Sequence, residues 1–230
     1  MTDGAGPIGE HTAAPWAVIW DMDGVLVDTG ESHYQAWKHV LAEEGVFLSP
    51  VEFRRTFGMN NASILGMLLG DMVNPSTLAR IGGRKEALFR AFIHGKAAPM
   101  PGVLRWLRYL QQHHIPQAVA SGAPPENIEF LVDEMGIRGY FEALVSSDGM
   151  PGKPDPAVFL EAARRLEVPP HGCVVVEDGL PGLQAARGAG MRCIAVATTH
   201  PASALLLADR VVESLEKLPD DGFDVFPETG

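Results

Sequence analysis

Short apolar segments recur along the chain, and amphipathic segments separate them. The apolar segments are rich in Val, Ile and Ala and span residues 17–20, 117–120, 143–146, 173–177, 193–197 and, more weakly, 210–212. Segments that are apolar along their whole length are typical of strands that are buried on both faces of a sheet. The pattern therefore predicts a sheet that is covered on both sides.

The amphipathic segments that follow residue 100 have the length and the boundary signals of helices. They span residues 102–113, 125–135, 155–166 and 181–188, and prolines stand near three of the predicted starts. Strands and helices alternate throughout this part of the chain. Such alternation predicts parallel strands joined by crossover helices, and hence a doubly wound α/β sheet.

Residues 31–97 interrupt this alternation. They contain no convincing strand, but apolar residues recur at helical spacing around Trp37, Leu65 and Phe89. We expect a small helical bundle inserted between the first and second strands, with Trp37 and residues 67–69 in its core. The two crossings, near 29–32 and 97–102, could act as a hinge.

Composition and charge favour a globular protein and argue against a nucleic-acid-binding or membrane-spanning one. With 46% apolar and 20% charged residues, the chain can bury a substantial core. A net charge of −11 from 18 basic and 29 acidic residues argues against nucleic-acid binding. No segment approaches the roughly 20 apolar residues that a membrane span needs, so we expect no membrane partner.

The cysteines and the N-terminal residues favour a cytoplasmic protein. Cys173 and Cys193 both lie in predicted strands, where they are expected to act as small apolar residues. Residues 1–14 have neither a basic start nor an apolar stretch, so they are predicted to be a flexible tail and not a signal peptide.

Two carboxylates follow the first predicted strand directly, in the sequence Asp21-Met22-Asp23-Gly24. In a parallel α/β sheet, ligands bind beyond the carboxyl ends of the strands. Of two carboxylates at this spacing, one can act as a nucleophile while the other transfers protons. Their mutual repulsion suggests a divalent metal with oxygen ligands. The alternative is a turn that uses Asp and Gly only for their backbone preferences.

Three further strands are also followed by residues that suit an anion or a metal. Ser121-Gly122 ends the second strand and could hold an anion by its hydroxyl and backbone N–H groups. Lys153 stands on a Pro-rich loop after the third strand, and Glu177-Asp178 ends the fourth. Each signal is weak alone, but four such endings at one edge of a sheet predict a single site.

This ordered set resembles the four motifs of the haloacid dehalogenase superfamily. The residues that carry the resemblance are 21–29, Ser121, 152–156, and Glu177-Asp178 with Gly182. The resemblance extends over residues 17–212, and the helical insert is similar to the family's C1-type cap. The most similar branch contains beta-phosphoglucomutase and small sugar-phosphate phosphatases. It implies a Rossmann-like core at 15–30 and 98–230, with an all-helical cap at 31–97.

The resemblance also implies a role for each candidate residue. Asp21 would be the nucleophile that attacks phosphorus, and Asp23 the general acid and base. Mg²⁺ would bind the carboxylates of Asp21 and Asp178 and the backbone carbonyl of Asp23, with Glu177 acting indirectly. Lys153, with Ser121 and Gly122, would bind the transferring phosphate. His33 would be a partner of Asp23, although a half-buried histidine without function is an equal alternative.

Three departures from the family pattern bear on the functions that it allows, and the loss of the mutase's charged residues argues for hydrolysis. Gly179 stands where the family usually has Ser or Thr, and Ala123 stands where the mutase has a second phosphate-binding hydroxyl. In the cap, Phe57 and Asn61 align with a lysine and an arginine of the mutase. Without that arginine, a second phosphate loses a bidentate charged partner. Asn60 and Asn61 become candidates for binding a sugar hydroxyl.

The sequence therefore predicts a Mg²⁺-dependent phosphatase of small phosphorylated metabolites, above all sugar phosphates. A beta-phosphoglucomutase-type isomerase is the alternative, and a non-catalytic module that binds phosphorylated ligands is a more distant one. We expect a monomer or a small homo-oligomer.

Overall fold

The computed structural model describes residues 16–70 and 73–223. Its centre is one sheet of six parallel strands in the order β3-β2-β1-β4-β5-β6. The strands are β1 (Ala17–Trp20), β2 (Gln117–Ser121), β3 (Ala143–Ser146), β4 (Cys173–Glu177), β5 (Arg192–Val196) and β6 (Arg210–Val212). The predicted parallel α/β sheet is confirmed, and β5 begins and ends one residue earlier than expected.

Four helices cover the two faces of this sheet. They are α5 (Val103–Gln112), α6 (Pro125–Glu134), α7 (Ala157–Arg165) and α8 (Leu180–Gly188). Because side chains alternate across a strand, Val18 and Trp20 enter the apolar cluster on one face, and Ala17 and Ile19 enter the cluster on the other. Burial on both faces explains why polar residues occur only at the ends of the strands and not inside them.

The other four helices lie between β1 and β2 in the chain. They are α1 (Gly30–Glu43), α2 (Pro50–Thr56), α3 (Asn61–Leu69) and α4 (Pro75–Ile93). A third apolar cluster lies among them and includes Trp37, Phe53, Leu65 and Ile81. In α1 and α4, Ala36, Phe89 and Ile93 instead join a cluster of the sheet. The helical insert thus has its own core and also packs on the rest of the protein.

The insert differs from the sequence expectation in two places. Helix α2 was not predicted by apolar spacing, although Ser49 and Glu52 form a capping box at its start. The placement of Met67 in the core was wrong, because its side chain is 58% exposed. Ile64, Leu65 and Leu69 occupy the inward face of α3, and Met67 lies outside that face.

None of the described helices is both long and apolar enough to cross a membrane. The predicted tail at 1–14 lies outside the described residues. The boundaries at 30/31 and 97/98 stay predictions, and α1 begins at Gly30, close to the first of them.

Because every strand runs in the same direction, Asp21, Ser121 and Asp178 come together at one edge of the sheet.

Candidate active site

Lys153 lies at the centre of the site, between two carboxylates. Its Nζ is 2.5 Å from Oδ1 of Asp21 and 2.8 Å from Oε1 of Glu177. The Lys153 side chain is only 1% exposed. Burial alone would lower the pKa of Lys153, but the two carboxylates raise it above its usual range. Lys153 is therefore a fixed positive charge beside Asp21.

Glu177 is held by protein donors on both of its oxygens. Oε1 accepts from Lys153, and Oε2 accepts from the backbone N–H groups of Asp178 at 2.7 Å and Gly179 at 2.6 Å. The carboxylate occupies the space where a side chain at Gly182 would lie. Glu177 thus orients the lysine and the loop after β4.

Asp178 completes an acidic cluster with Asp21 and Glu177. All three are buried, and each offers an oxygen within 4.8 Å of the others. Burial, followed by the charge of Glu177, raises the pKa of Asp178 to about 7, and burial raises the pKa of Asp21 well above its usual range. Three ionised carboxylates with only the ammonium of Lys153 among them would carry an excess of negative charge, and this repulsion adds to burial in raising the two pKa values. A set made only of oxygen ligands with such an excess fits a hard divalent cation such as Mg²⁺.

Asp23 lies beside the acidic cluster and faces the helical insert. Its Oδ1 accepts from the Thr29 hydroxyl at 2.5 Å and lies 3.2 Å from Nε2 of His33. Burial alone would raise the pKa of Asp23, but His33, Thr29 and Lys85 together lower it. The environment of Asp23 therefore favours a charged carboxylate, in contrast to that of Asp21.

His33 is held by the insert. Its ring stacks on that of Phe89, with centroids 3.8 Å apart and planes 4° from parallel. Burial, followed by the charge of Lys85, lowers its pKa. The geometry brings His33 to Asp23, as the sequence predicted for a partner of that residue, but its function stays a prediction.

Ser121 and Gly122 lie where β2 ends, close to the insert. The Ser121 hydroxyl is fully buried and accepts from the backbone N–H of Ala123 at 3.0 Å. A side chain at Gly122 would lie 2.8 Å from the carbonyl oxygen of Gly58, so the absence of a side chain there lets the insert approach. Their binding of phosphate stays a prediction.

The amide groups of Asn60 and Asn61 are already used by the protein. Oδ1 of Asn60 accepts from the backbone N–H of Ser63 at 3.0 Å and caps α3, and its Nδ2 lies 3.4 Å from the carbonyl oxygen of Met150. Asn61 donates to Glu86 at 2.8 Å. Asn60 therefore joins the insert to the sheet domain, and the binding of a sugar hydroxyl by either residue stays a prediction.

Sequence reasoning missed a second buried ion pair, between Lys85 and Glu86. Their Nζ and Oε1 atoms are 2.9 Å apart, and both side chains are at most 7% exposed. The other carboxylate oxygen of Glu86 accepts from Asn127 of α6 at 2.5 Å. A signal was present, because Lys85 stands at helical spacing between the buried residues Ile81 and Phe89.

A cavity of about 30 Å³ lies between the insert and the sheet edge. Asp23, His33, Phe57, Lys85 and Glu86 contribute to its lining. The volume has room for about two water molecules. Of the described residues that line it, Lys85 alone is a lysine or arginine, and Glu86 balances its charge.

The family of the chain follows from a match to a known family model. The model of haloacid dehalogenase-like hydrolases matches residues 17–190, which include the acidic cluster, Lys153 and the whole insert. The chain belongs to the haloacid dehalogenase-like hydrolases. The resemblance that the motifs indicated is therefore confirmed.

Similar proteins place this hydrolase near phosphatases and phosphoglucomutases. It is 33% identical over 213 residues to the Arabidopsis thaliana 5-amino-6-(5-phospho-D-ribitylamino)uracil phosphatase, covering 91% of this chain and 57% of that protein. It is 33% identical over 189 residues to the Escherichia coli fructose-1-phosphate phosphatase YqaB, covering 78% and 95%. The beta-phosphoglucomutase of Clostridium difficile shares the fold, with a TM-score of 0.83, 23% identity, and coverage of 91% and 96%.

The lengths of these relatives differ. This chain spans 57%, 18% and 53% of three Arabidopsis thaliana proteins that it matches, which are therefore longer proteins. It spans 95% of the Escherichia coli phosphatase. The matched part is thus nearly a whole protein in some relatives and a portion in others.

Proposed function

We propose that this protein is a Mg²⁺-dependent phosphatase that hydrolyses small phosphorylated metabolites, above all sugar phosphates. The observation that carries the proposal is the buried triplet of Asp21, Lys153 and Glu177 at the carboxyl edge of the sheet. A carboxylate held 2.5 Å from a fixed ammonium suits attack on a phosphate group, because the same charge attracts the phosphate oxygens. The phosphatases among its relatives support the same reaction.

Asp21 would attack phosphorus with a carboxylate oxygen, and the bond from phosphorus to the leaving oxygen would break. The product of this step is an aspartyl-phosphate on Asp21. Lys153, with Ser121 and Gly122 at the end of β2, would stabilise the charge on the phosphoryl oxygens. The buried position of Lys153 makes this stabilisation stronger than it would be in water.

Asp23 would take up a proton when substrate binds, since its surroundings without substrate favour the charged carboxylate. It would give this proton to the leaving alkoxide and later take one from the water that hydrolyses the aspartyl-phosphate. Its carboxyl lines the cavity between the insert and the sheet, where a leaving group would be held after the insert has moved apart to enlarge a space that now fits about two waters. Thr29 and His33 fix its Oδ1. One residue would thus serve both half-reactions, and the proton taken from the water would replace the one that left with the alcohol.

The acidic cluster would hold the metal through the carboxylates of Asp21 and Asp178 and the backbone carbonyl of Asp23. Mg²⁺ would neutralise charge on the oxygens of the phosphoryl group while that group is transferred. Glu177 has its oxygens occupied by three protein donors, which supports an indirect role. The excess negative charge of the cluster supports a divalent ion.

The cavity supports hydrolysis over the mutase alternative. A mutase must hold the non-reacting phosphate of a bisphosphate, which requires an available cation. Lys85 is the one lysine or arginine among the described lining residues, and Glu86 neutralises it at 2.9 Å. A neutral, hydroxylated leaving group suits this lining better than a second phosphate does.

Phosphate release from a panel of sugar phosphates, with and without Mg²⁺, tests the proposal. The panel includes both anomers of glucose 1-phosphate. We expect release that requires Mg²⁺ and that Asp21→Asn reduces to background. Asp133→Asn is the control, because Asp133 is exposed on α6. Release that persists in Asp21→Asn would refute the assigned nucleophile. Formation of glucose 6-phosphate without free phosphate would establish the mutase, and Mg²⁺ binding without turnover would establish the binding module.

The remaining sequence predictions belong to the same proposal. The partner would be a small phosphorylated substrate, with no nucleic acid and no membrane. The protein would be cytoplasmic and either a monomer or a small homo-oligomer.

A further inference from the structure

Two threonines on the turn after β5 contact the residues of the candidate metal site. The hydroxyl of Thr199 donates to Oδ2 of Asp178. The hydroxyl of Thr198 lies 2.6 Å from the carbonyl oxygen of Gly24 and 3.2 Å from the same Oδ2. A hydroxyl has one proton to donate, so the shorter contact assigns that of Thr198 to Gly24. Thr198 therefore fixes the turn, and Thr199 fixes the carboxylate.

The surroundings of Asp178 direct its two oxygens differently. Gly24 adopts φ +84°, and a side chain there would collide with the carboxylate of Asp178 and lie 3.0 Å from the Thr199 hydroxyl. Glycine at this position thus lets the carboxylate and the hydroxyl meet. Among the described residues, the side-chain donor to this carboxylate is Thr199, which reaches Oδ2, and Oδ1 is thus left for a cation.

Position 179 offers no hydroxyl for this purpose. Gly179 donates its backbone N–H to Glu177. A β-carbon there would meet Glu177 Oε2 only at an ordinary distance of 3.5 Å. Space for a side chain therefore exists beside the acidic cluster, yet the hydroxyl that reaches Asp178 comes from the neighbouring strand end.

We propose that Thr199 is a positioning residue that holds Asp178 as a metal ligand, with Thr198 anchoring the turn that presents it. The inference rests on the metal site in the proposed function. A hydrogen bond to one carboxylate oxygen fixes the direction in which the other is presented, so less freedom is lost when a cation binds. Loss of such an outer partner typically costs 10- to 100-fold in metal affinity.

Direct titration with Mn²⁺, followed by paramagnetic resonance of the free ion and by competition with Mg²⁺, tests the inference without measuring turnover. We expect Thr199→Val to weaken binding about 10- to 100-fold. Thr199→Ser retains the hydroxyl and should bind as the wild type does. Ser203→Ala is the matched control, since Ser203 lies in the same segment and is exposed. Circular dichroism confirms that each variant is folded.

The outcomes separate this inference from the function on which it rests. Wild-type protein that binds neither ion would refute the proposed metal site and the inference with it. If the wild type binds and Thr199→Val binds within twofold of it, the inference alone is overturned. A Thr199→Ser variant as weak as Thr199→Val would also overturn it, because the hydroxyl would then not be what matters.

Discussion

Replacing Lys153 by Met removes the charge at the centre of the site while keeping most of the side chain's length. The ammonium is 1% exposed and lies within 2.8 Å of both Asp21 and Glu177. Without it, the two buried carboxylates have no counter-ion among the described residues. Breaking a buried ion pair from one side costs about 3–5 kcal/mol. For a chain of this length, that loss corresponds to a melting temperature lower by roughly 6–20 °C.

Thermal unfolding followed by circular dichroism in metal-free buffer measures this loss. Lys38→Met is the control, because Lys38 is exposed and its replacement should change stability by no more than about 0.5 kcal/mol. Added Mg²⁺ should restore part of the stability of Lys153→Met, since a bound cation stabilises the folded state and supplies the missing charge. Phosphate release should stay at background even when the variant is folded. A melting temperature within about 2 °C of the wild type would contradict the argument, because it would mean that less than ~1 kcal/mol depends on Lys153.

Two further substitutions test the surroundings of the buried carboxylates of Glu86 and Glu177. Burial alone would raise the pKa of Glu86, but Lys85 and its other partners lower it. Ionised Glu86 therefore stabilises the fold above its unfolded pKa of about 4.3. This contribution is lost as the pH falls through the folded pKa. Urea unfolding should therefore show Glu86→Gln to be about 1.5–3 kcal/mol less stable than the wild type at pH 7. The difference in unfolding free energy should shrink below about pH 4, and a difference that does not change with pH would contradict the argument. Gly182→Ala places a β-carbon against the Glu177 carboxylate and should lose about 1.5–3 kcal/mol and most phosphatase activity, whereas Gly188→Ala on the same helix, with its nearest contact at 3.7 Å, should not.

The sheet and its reactive edge could be predicted because their signals are local. A strand buried on both faces must be apolar throughout, so its end is visible as the first polar residue. That rule located Asp21, Ser121 and Glu177, with Asp178 directly after it, and the loop position of Lys153 followed from the same reasoning. Parallel topology then brings these residues together without any knowledge of their contacts.

The contacts that the sequence did not predict depend on packing between distant segments. Glu86 is satisfied by Asn127, 41 residues away, and Thr199 reaches Asp178 from another strand end. A charge on an apolar helix face indicates only that some partner exists, and apolar spacing does not name that partner. Met67 was misplaced for a related reason, because α3 is apolar nearly all round and only its neighbours decide which face is buried.

The Lys85–Glu86 pair links the contact between the insert and α6 with the charge near Asp23. Glu86 accepts hydrogen bonds from Asn61 of the insert and from Asn127 of α6, so its carboxylate joins the two parts of the protein. The same carboxylate neutralises Lys85, whose charge otherwise acts on Asp23 and His33. A leaving group that drew Lys85 away from Glu86 would therefore alter both the contact between insert and sheet and the charge near Asp23. Under the proposed function, the fit of a leaving group and the contact between insert and sheet would thus both depend on this buried ion pair.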